Sequence, residues 1–301
     1  MAIKFAFSTV ACPEWTLEQA AAKAKEMGYA GLELRTLGEG AGAIACDPSL
    51  MDTQKVRDIL GEHDIEPVCL ATSLCMHYRN HGLAHQAIWQ AKQYLTMAAE
   101  IGCPAVRIFG HEVEPGEARR DVIQRIASHV APLAQIAGDL GIRLLFENAG
   151  SINRAKEWWW LFNQIQHPMM GLSWNVANAA CAGEGPAVSV PALNSRIALA
   201  KVKDTIVGEG AGYLPLGEGN IEIEQFINRL LGIGYDGYVV VEWDRVWFPN
   251  LTPAEEYLPQ ARETLQGWID VINEQIEKAQ VKINKRLAKE APKKRAELVA
   301  K

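Results

Sequence analysis

Short apolar segments alternate with longer amphipathic segments along most of this chain, and this alternation constrains the fold more than any other feature. The apolar segments are rich in β-branched residues or leucine, whereas the segments between them repeat apolar residues every three or four positions, as helices do. This order is typical of a parallel sheet whose strands are joined by crossover helices. Eight segments are predicted strands: residues 3–8, 31–34, 67–72, 105–109, 143–147, 170–174, 197–201 and 238–242.

Several predicted helices end in a glycine just before the next strand. Gly28, Gly102, Gly141 and Gly234 hold this position. Glycine adopts the left-handed conformation that turns the chain at the end of a helix. Eight such units match a closed (β/α)₈ barrel better than an open doubly wound sheet, and no Gly-x-Gly-x-x-Gly follows the first strand. We therefore predict an α/β fold, a single-domain TIM barrel over residues 1–275, with a basic helical or frayed extension over residues 276–301.

The composition disfavours several classes of protein. No apolar run approaches the roughly 20 residues that a membrane span needs. The first ten residues alternate in polarity, which predicts a strand rather than a signal peptide. The six cysteines follow no paired zinc or redox spacing. Their pattern predicts reduced thiols and a cytoplasmic location.

Charge is distributed unevenly along the chain. The formal net charge is −6, and residues 278–301 carry nine Lys or Arg against two Glu, which leaves −13 on the rest. An acidic body does not suit the phosphate backbone of a nucleic acid. We predict that the basic tail is a solvated helical extension, and the alternative is an arm that binds a partner. The tail is also a candidate contact between the subunits of a homo-oligomer.

The predicted barrel gives a candidate site directly, because the active sites of such barrels lie at the carboxyl ends of the strands. Two predicted strands end in the carboxylates Glu147 and Glu242, and one between them ends in Lys201. These three side chains should converge on one mouth, which indicates a carbohydrate site. Other polar or aromatic residues at strand ends are Ser8, Thr9, Glu33, Arg35, Ser73, Cys75, His77, Arg107, His111, Asn148, Trp174, Asn175, Lys203, Asp204 and Trp243.

Several segments, in order and spacing, resemble the xylose isomerase-like barrel superfamily of sugar isomerases and epimerases, which also includes endonuclease IV. The resemblance covers most of residues 3–270. It depends on Met27-Gly-Tyr-Ala-Gly-Leu-Glu-Leu, Val106-Arg-Ile-Phe, Leu145-Phe-Glu-Asn, Gly171-Leu-Ser-Trp-Asn, Lys201-Val-Lys-Asp, Leu216-Gly-Glu-Gly-Asn and Gly234-Tyr-Asp-Gly-Tyr-Val-Val-Val-Glu.

The resemblance implies a divalent metal held by Glu, Asp, His and Glu on strands five to eight. This chain has Glu147, Asn175, Lys201 and Glu242 at those positions, and Asn178 where many members have a further histidine. A protonated lysine does not bind a metal and repels a dication. We therefore expect no cofactor, and we expect the positive charge of the Lys201 ammonium to replace that of the metal ion. The alternative is a weak Mn²⁺, Mg²⁺ or Zn²⁺ site at the two glutamates and the Asn175 carbonyl.

The resemblance also implies a mechanism in which two glutamates move a proton on opposite faces of an enediolate. Glu147 and Glu242 would then be the proton-transfer pair and Lys201 the oxyanion donor. A Schiff-base role for Lys201 is less favoured, because neighbouring carboxylates hold an amine in its charged form. The residues expected to contact a sugar or polyol substrate are Glu33, Arg107, His111, Asn175 and Lys203, with Trp174 and Trp243 stacked on its ring.

Other interpretations remain open. One is a buried ion-pair triad without turnover, another is a sugar-binding protein without catalysis, and a third is a dehydratase of the same superfamily. A nuclease is disfavoured, because Asn175, Asn178, Lys201 and Tyr213 replace metal ligands. We expect His77, His81 and His85 in a loop that leads into the third helix, without a ligand role. Glu209 and Glu218 in the glycine-rich segment 208–219 disfavour a phosphorylated substrate.

Overall fold

Eight parallel strands form a closed barrel in the order of the chain. The computed structural model describes residues 3–36, 52–208 and 212–299, with side chains up to residue 284. The strands are β1 (Lys4–Ser8), β2 (Gly31–Arg35), β3 (Glu66–Cys75), β4 (Ala105–His111), β5 (Arg143–Gly150), β6 (Met170–Asn175), β7 (Ile197–Val202) and β8 (Tyr238–Val241). The TIM barrel prediction is confirmed, and each predicted strand overlaps an observed one.

Helices cover the outside of the barrel. They are α1 (Leu17–Glu26), α2 (Thr53–Glu62), α3 (His81–Ile101), α4 (Arg119–Leu140), α5 (Ala155–Ile165), α6 (Val176–Cys181), α7 (Pro186–Leu193), α8 (Ile223–Gly232) and α9 (Ala254–Val299). Helix α1 begins with a capping box in which Thr16 and Gln19 each accept a backbone N–H bond from the other. Helices α3 and α4 end at Gly102 and Gly141, whose φ angles of 81° and 69° are left-handed, as predicted for these C-caps.

The barrel separates two hydrophobic clusters. Its interior holds a small group of buried side chains, here called the apolar layer: Ala6, Val68, Cys69, Ala105, Leu145, Leu199 and Val240. A much larger cluster, which includes Phe146, Trp158 and Trp174, fills the space between the strands and the helices. Alternate residues of each strand point to opposite faces, so the inward positions define what the barrel mouth can present.

Asp204, just after β7, organises the connection to α8. Its Oδ2 accepts bonds from the backbone N–H groups of Gly217 and Gly219 at 2.8 and 3.1 Å. A Cβ on Gly219 would lie 2.1 Å from Asp204 Oδ1, so this approach requires glycine. The described part of segment 208–219 is therefore held by a carboxylate. Glu209, for which we expected repulsion of a phosphate, lies outside the described residues, as does Cys46.

One expectation about the helices needs correction, and one is confirmed. His81 and His85 lie in α3 and are exposed, rather than in a loop before it, because Asn80 caps α3 by accepting from the Leu83 N–H at 3.0 Å. The extension predicted over residues 276–301 is helical as far as the structure describes it, because α9 continues to Val299. The division into domains at residue 275 stays a prediction. None of the helices in the described ranges has the length and apolar character needed to cross a bilayer.

Candidate functional site

A set of charged side chains occupies the carboxyl end of the barrel interior, and we call it the charged cluster. Its members are the carboxylates Glu33, Glu147, Glu242 and Asp244 and the cations Arg35, Arg107, Lys201 and Lys203. All except Lys203 are fully or almost fully buried, and the Lys203 side chain is 12% exposed. Four negative and four positive charges give a formal net charge of zero. Burial of this many charges is tolerable because seven of them form ion pairs with one another, whereas Arg35 donates to the backbone oxygens of Thr36 and Ala71.

Lys201 on β7 is the centre of the charged cluster. Its Nζ lies 2.6 Å from Glu242 Oε1, 3.1 Å from Glu147 Oε2 and 3.1 Å from Glu33 Oε1. Burial acts to lower the pKa of Lys201, but the three carboxylates outweigh it and raise the pKa above its ordinary value. Lys201 is therefore a charged ammonium in this site. A neutral, nucleophilic amine is disfavoured here, in agreement with the expectation against a Schiff base.

Glu242, just after β8, is held by two lysines and an amide. It accepts from Lys201, and its Oε2 lies 2.9 Å from both Lys203 Nζ and Asn175 Nδ2. Burial acts to raise the pKa of Glu242, but Lys201 and Lys203 together hold it well below the ordinary value. Glu242 is thus ionised at neutral pH and strongly stabilised in that form.

Lys203 connects Glu242 to a second carboxylate, Asp244. Its Nζ lies 2.9 Å from Asp244 Oδ2 and 3.5 Å from the Tyr213 hydroxyl. Burial and the neighbouring charge of Glu242 raise the pKa of Asp244 despite the contact with Lys203. Burial also raises the pKa of Tyr213 to about 12. This side of the cluster therefore offers a carboxyl that binds a proton more readily than Glu242 does.

Glu147 on β5 is held from two sides. Arg107 on β4 places Nε 3.1 Å from Glu147 Oε2, the same oxygen that Lys201 contacts. Arg107 is 2% exposed and also donates to the backbone oxygen of Thr72. Arg107 therefore forms an ion pair that fixes Glu147, and its expected contact with substrate stays a prediction.

Asn175 joins the cluster to the backbone at the end of β6. Its Oδ1 accepts from the N–H groups of Ala177 and Asn178 at 3.2 and 3.3 Å and so caps α6, which directs Nδ2 toward Glu242 and Glu147. Asn148 Oδ1 accepts from the Asn175 N–H at 2.7 Å. Because its amide oxygen is engaged by the helix, Asn175 acts as a donor to the glutamates.

These residues do not fit the divalent metal that the resemblance implies. The ammonium of Lys201 lies between the carboxylates that would bind the ion, at hydrogen-bonding distances. Asn175 presents a donor rather than an oxygen to the same carboxylates. A dication there would meet a positive charge and too few free oxygen ligands.

Some polar atoms in the barrel interior lack partners among the described residues. Ser8 Oγ, Ser173 Oγ and Glu33 Oε2 are buried without a hydrogen bond there. Ser8 pairs with Glu33 in the β1–β2 register, and Glu147 pairs with Ser173 in the β5–β6 register. Buried polar groups are normally hydrogen-bonded, so unpartnered ones next to charged groups indicate places for water or ligand hydroxyls.

The expected sugar-stacking role of Trp174 and Trp243 is wrong for this structure. Trp174 is fully buried in the cluster between strands and helices. Trp243 is 1% exposed; its ring stacks on Tyr257 of α9 with 3.7 Å between centroids, and its Nε1 donates to the Thr252 oxygen. The sequence contains the relevant signal, because each tryptophan adjoins an inward-pointing residue, Asn175 or Glu242, and neighbours in a strand point to opposite faces.

The same periodicity identifies Asp244, the one member of the charged cluster that the prediction did not connect with the site. Asp244 follows Glu242 by two positions, as Lys203 follows Lys201 and Arg35 follows Glu33. Each second member therefore lies on the same face as the first. The structure brings Glu33 to Lys201 as a third carboxylate, and its expected contact with substrate stays a prediction. No sequence pattern gives that convergence, which depends on barrel closure.

A separate group lies at the ends of β3 and β4. Cys75, His77 and His111 each place one potential ligand atom so that all three atoms are within 4.8 Å of one another. His111, for which we predicted substrate contact, has a left-handed φ of 74° and a side chain 39% exposed. Among the described residues, no ion pair or hydrogen bond joins the His111 side chain to the charged cluster.

Comparisons with known proteins identify the family and the fold of this chain. A family model described as the xylose isomerase-like TIM barrel matches residues 21–268. A structure of L-ribulose 3-epimerase is similar, with a TM-score of 0.77, 15% identity and coverage of 93% of this chain and 98% of that one. IolI with a bound zinc atom gives a TM-score of 0.72 and 19% identity over 90% of this chain and 99% of that one.

A probable 3-DHS dehydratase of petrobactin synthesis from Bacillus anthracis is also similar. Its TM-score is 0.71 at 14% identity, with 88% of this chain and 99% of that one covered. No curated protein matches this chain in sequence. At these identities the structural likeness establishes the fold alone.

Proposed function

Because this chain belongs to the xylose isomerase-like TIM barrel family, we propose that it is a sugar or polyol-ketone isomerase or epimerase that uses Glu147 and Glu242 as its proton-transfer pair. The observation that carries this proposal is the position of Lys201. Its Nζ contacts both glutamates and Glu33 within 3.1 Å. A fixed ammonium beside two carboxylates can stabilise the oxyanion of an enediolate while the carboxylates transfer protons.

The proposed reaction moves one proton. One glutamate removes the proton from the carbon beside the substrate carbonyl, and the electron pair moves onto the carbonyl oxygen. Lys201 donates a hydrogen bond to that developing oxyanion. The second glutamate, which takes up a proton from solvent before the cycle, delivers it to the opposite face for epimerisation, or to the neighbouring carbon for isomerisation, in which the hydroxyl proton passes between the two oxygens. The first glutamate then releases its proton to solvent. Lys201 thereby supplies the charge stabilisation that a divalent ion would otherwise give.

In this mechanism the bound substrate must raise the basicity of one glutamate before proton transfer can begin. The pKa of Glu242 is held low by Lys201 and Lys203, which makes Glu242 a weak base. A substrate oxygen that takes one of the Lys201 hydrogen bonds frees a carboxylate from that contact and raises its basicity. The unpartnered Ser8 Oγ, Ser173 Oγ and Glu33 Oε2 are suited to bind substrate hydroxyls.

The same low pKa favours a second candidate, a sugar-binding protein without turnover. Four carboxylates and four cations already neutralise one another in the charged cluster. A cluster whose formal charges balance in this way can be purely structural and need not move a proton. The two candidates differ in one measurable respect, which is exchange of a carbon-bound proton.

The experiment is incubation of the protein with candidate ketoses, including ribulose and allulose, and with inosose-type polyol ketones in D₂O. We expect deuterium at the carbon beside the carbonyl, detected by NMR. Glu147→Gln and Glu242→Gln should abolish the exchange, because each keeps the shape but removes a proton carrier. Glu263→Gln, an exposed carboxylate on α9, is the matched control and should retain it.

Ligand binding without deuterium exchange would support the sugar-binding protein and contradict the enzyme. A stoichiometric divalent ion that is lost in Glu147→Gln would contradict the role given to Lys201. Circular dichroism of each variant separates a lost reaction from a lost fold. Metal analysis of wild type and Glu147→Gln should therefore precede the exchange experiments.

A further inference from the structure

The group at the ends of β3 and β4 has the composition of a transition-metal site. It contains one thiol, Cys75, and two imidazoles, His77 and His111, with ligand atoms within 4.8 Å of one another. The two imidazole centroids are 5.6 Å apart and their planes are inclined by 39°. Two rings that bind one ion through single nitrogen atoms lie at about this separation, because each metal–nitrogen bond is about 2.0–2.1 Å.

An unpartnered atom points to a missing ligand in this group. Nδ1 of His77 is buried and has no hydrogen-bond partner among the described residues, although His77 itself is 9% exposed. Burial removes the hydrogen bond between an imidazole nitrogen and water, and a nitrogen without a partner gains no bond in its place. A metal ion bound by this nitrogen would satisfy it.

The chain holds His77 in place through its backbone. Arg125 on α4 donates from Nε to the His77 oxygen at 2.8 Å. His129, one turn further along α4, places Nδ1 2.9 Å from the Met76 oxygen. The segment is therefore anchored by α4, which leaves the imidazole of His77 available as a ligand.

His111 has the second contact that metal-binding histidines usually have. Its Nδ1 lies 3.5 Å from Glu112 Oε1, and Ser151 Oγ donates to Glu112 Oε2 at 2.5 Å. A carboxylate that accepts from one ring nitrogen orients the ring and leaves the other nitrogen for the metal. This pairing predicts that His111 binds through Nε2.

The site is accessible from solvent. The His111 side chain is 39% exposed, and Cys75 is partly exposed. Cys75 also lines a cavity of about 410 Å³ between the end of β3 and α3, together with Ser73, Tyr78 and Tyr94. The Cys75 thiol donates to the Ser73 oxygen at 3.5 Å, a weak contact that a metal bond can replace. Three protein ligands leave a fourth tetrahedral position for water.

Contrary to the expectation that His77 has no ligand role, we propose that Cys75, His77 and His111 form a Zn²⁺ site at the barrel mouth, separate from Glu147, Lys201 and Glu242. One thiolate and two neutral imidazoles suit Zn²⁺, whereas Mg²⁺ and Ca²⁺ prefer oxygen ligands. Binding releases the thiol proton to solvent and forms one metal–sulfur and two metal–nitrogen bonds. The net charge of the occupied protein group is +1.

Cobalt substitution tests the proposal. The metal-depleted full-length protein is titrated with Co²⁺ and then with Zn²⁺ under reducing conditions. We expect one equivalent of Co²⁺ with a thiolate-to-cobalt charge-transfer band, which Zn²⁺ abolishes by displacement. Cys75→Ser should remove the band, and His77→Gln and His111→Gln should weaken binding. Glu112→Gln should weaken binding about 10–100-fold, since it removes only the carboxylate behind His111.

Two controls make the result specific. Cys181→Ser removes an exposed thiol elsewhere on the surface and should leave the band unchanged. Glu147→Gln should also leave it unchanged, because Glu147 belongs to the charged cluster. A band that persists in Cys75→Ser, an absent band in wild type, or binding that disappears in Glu147→Gln would each overturn the proposal. These readouts are independent of deuterium exchange, so failure here is distinguishable from failure of the proposed function.

Discussion

The apolar layer and the charged cluster lie next to each other inside one barrel and are built on the same strands. The apolar layer is held by shape and by removal of apolar surface from water, so any side chain that fills the space contributes. The charged cluster is held by matched charges, and a single change leaves the remaining groups unpaired. Leu145 and Glu147, two positions apart on β5, belong to the different regions. Substitutions in the two regions should therefore destabilise the fold by different mechanisms.

The strongest test of the charged cluster is Lys201→Met. This variant keeps a long side chain but leaves Glu33, Glu147 and Glu242 without their shared ammonium. We expect the free energy of unfolding at pH 7 to fall by about 3–5 kcal/mol, measured by urea denaturation. Adding Glu33→Gln should recover part of the loss, because it removes one of the unpaired charges. A loss below about 1 kcal/mol would mean that the ion pairs of Lys201 contribute little.

The corresponding test of the apolar layer is Leu145→Ala. Leu145 is 1% exposed, and its Cδ2 lies close to Gly171 on β6. We expect a loss of about 2–4 kcal/mol from the lost transfer free energy and the cavity, with no dependence on salt or on pH near neutrality. Leu83→Ala, at a residue 48% exposed, is the control and should change stability by less than about 0.5 kcal/mol. A salt-dependent loss in Leu145→Ala would contradict the separation of the two regions.

A smaller effect is expected for Asn175→Asp. The new carboxylate can still cap α6, but it no longer donates to Glu242 and Glu147 and adds negative charge beside them. We expect a loss of about 1–3 kcal/mol by thermal or urea denaturation. The variant Asn175→Ser, which keeps the cap without the charge, is the comparison. An Asn175→Asp protein as stable as wild type would indicate that the site accommodates a further carboxylate.

The pH dependence of stability tests the ion pairs of Glu242 and Lys201. The pKa of Glu242 is lowered from 4.5 in the folded protein, so its contribution is fully present above pH 4.5 and is lost as the pH falls through the folded value. The pKa of Lys201 is raised from 10.5, so its contribution is present below pH 10.5 and is lost as the pH rises through the folded value. Denaturation at several pH values should therefore show the stability difference between wild type and Glu242→Gln shrinking in acid. A constant difference would contradict the pairing.

The sequence predicts the barrel well because strand and helix periodicities are local. The strand candidates 105–109 and 143–147 coincide with the starts of β4 and β5, and the glycine caps lie where expected. The site is less predictable. Glu147, Lys201 and Glu242 were expected to converge, and they do so, whereas their catalytic roles stay predictions.

The remaining parts of the site depend on long-range geometry. Alternation along β6 and β8 would have excluded Trp174 and Trp243 from the mouth. No local pattern brings Glu33 to Lys201, because β2 and β7 are not neighbours in the barrel. The proximity of Cys75, His77 and His111 likewise depends on how the ends of β3 and β4 extend beyond the predicted strands.

The partners of Lys201 come from β2, β5 and β8, so its environment cannot exist until nearly the whole chain has assembled. Contacts between segments so far apart in sequence form late, since the chain must first lose the entropy of closing long loops. We expect the ion pairs of Lys201 to form after most of the barrel has assembled and to slow its unfolding. Stopped-flow kinetics of Lys201→Met should then show faster unfolding with a nearly unchanged folding rate, and a slowed folding rate would contradict this order of events.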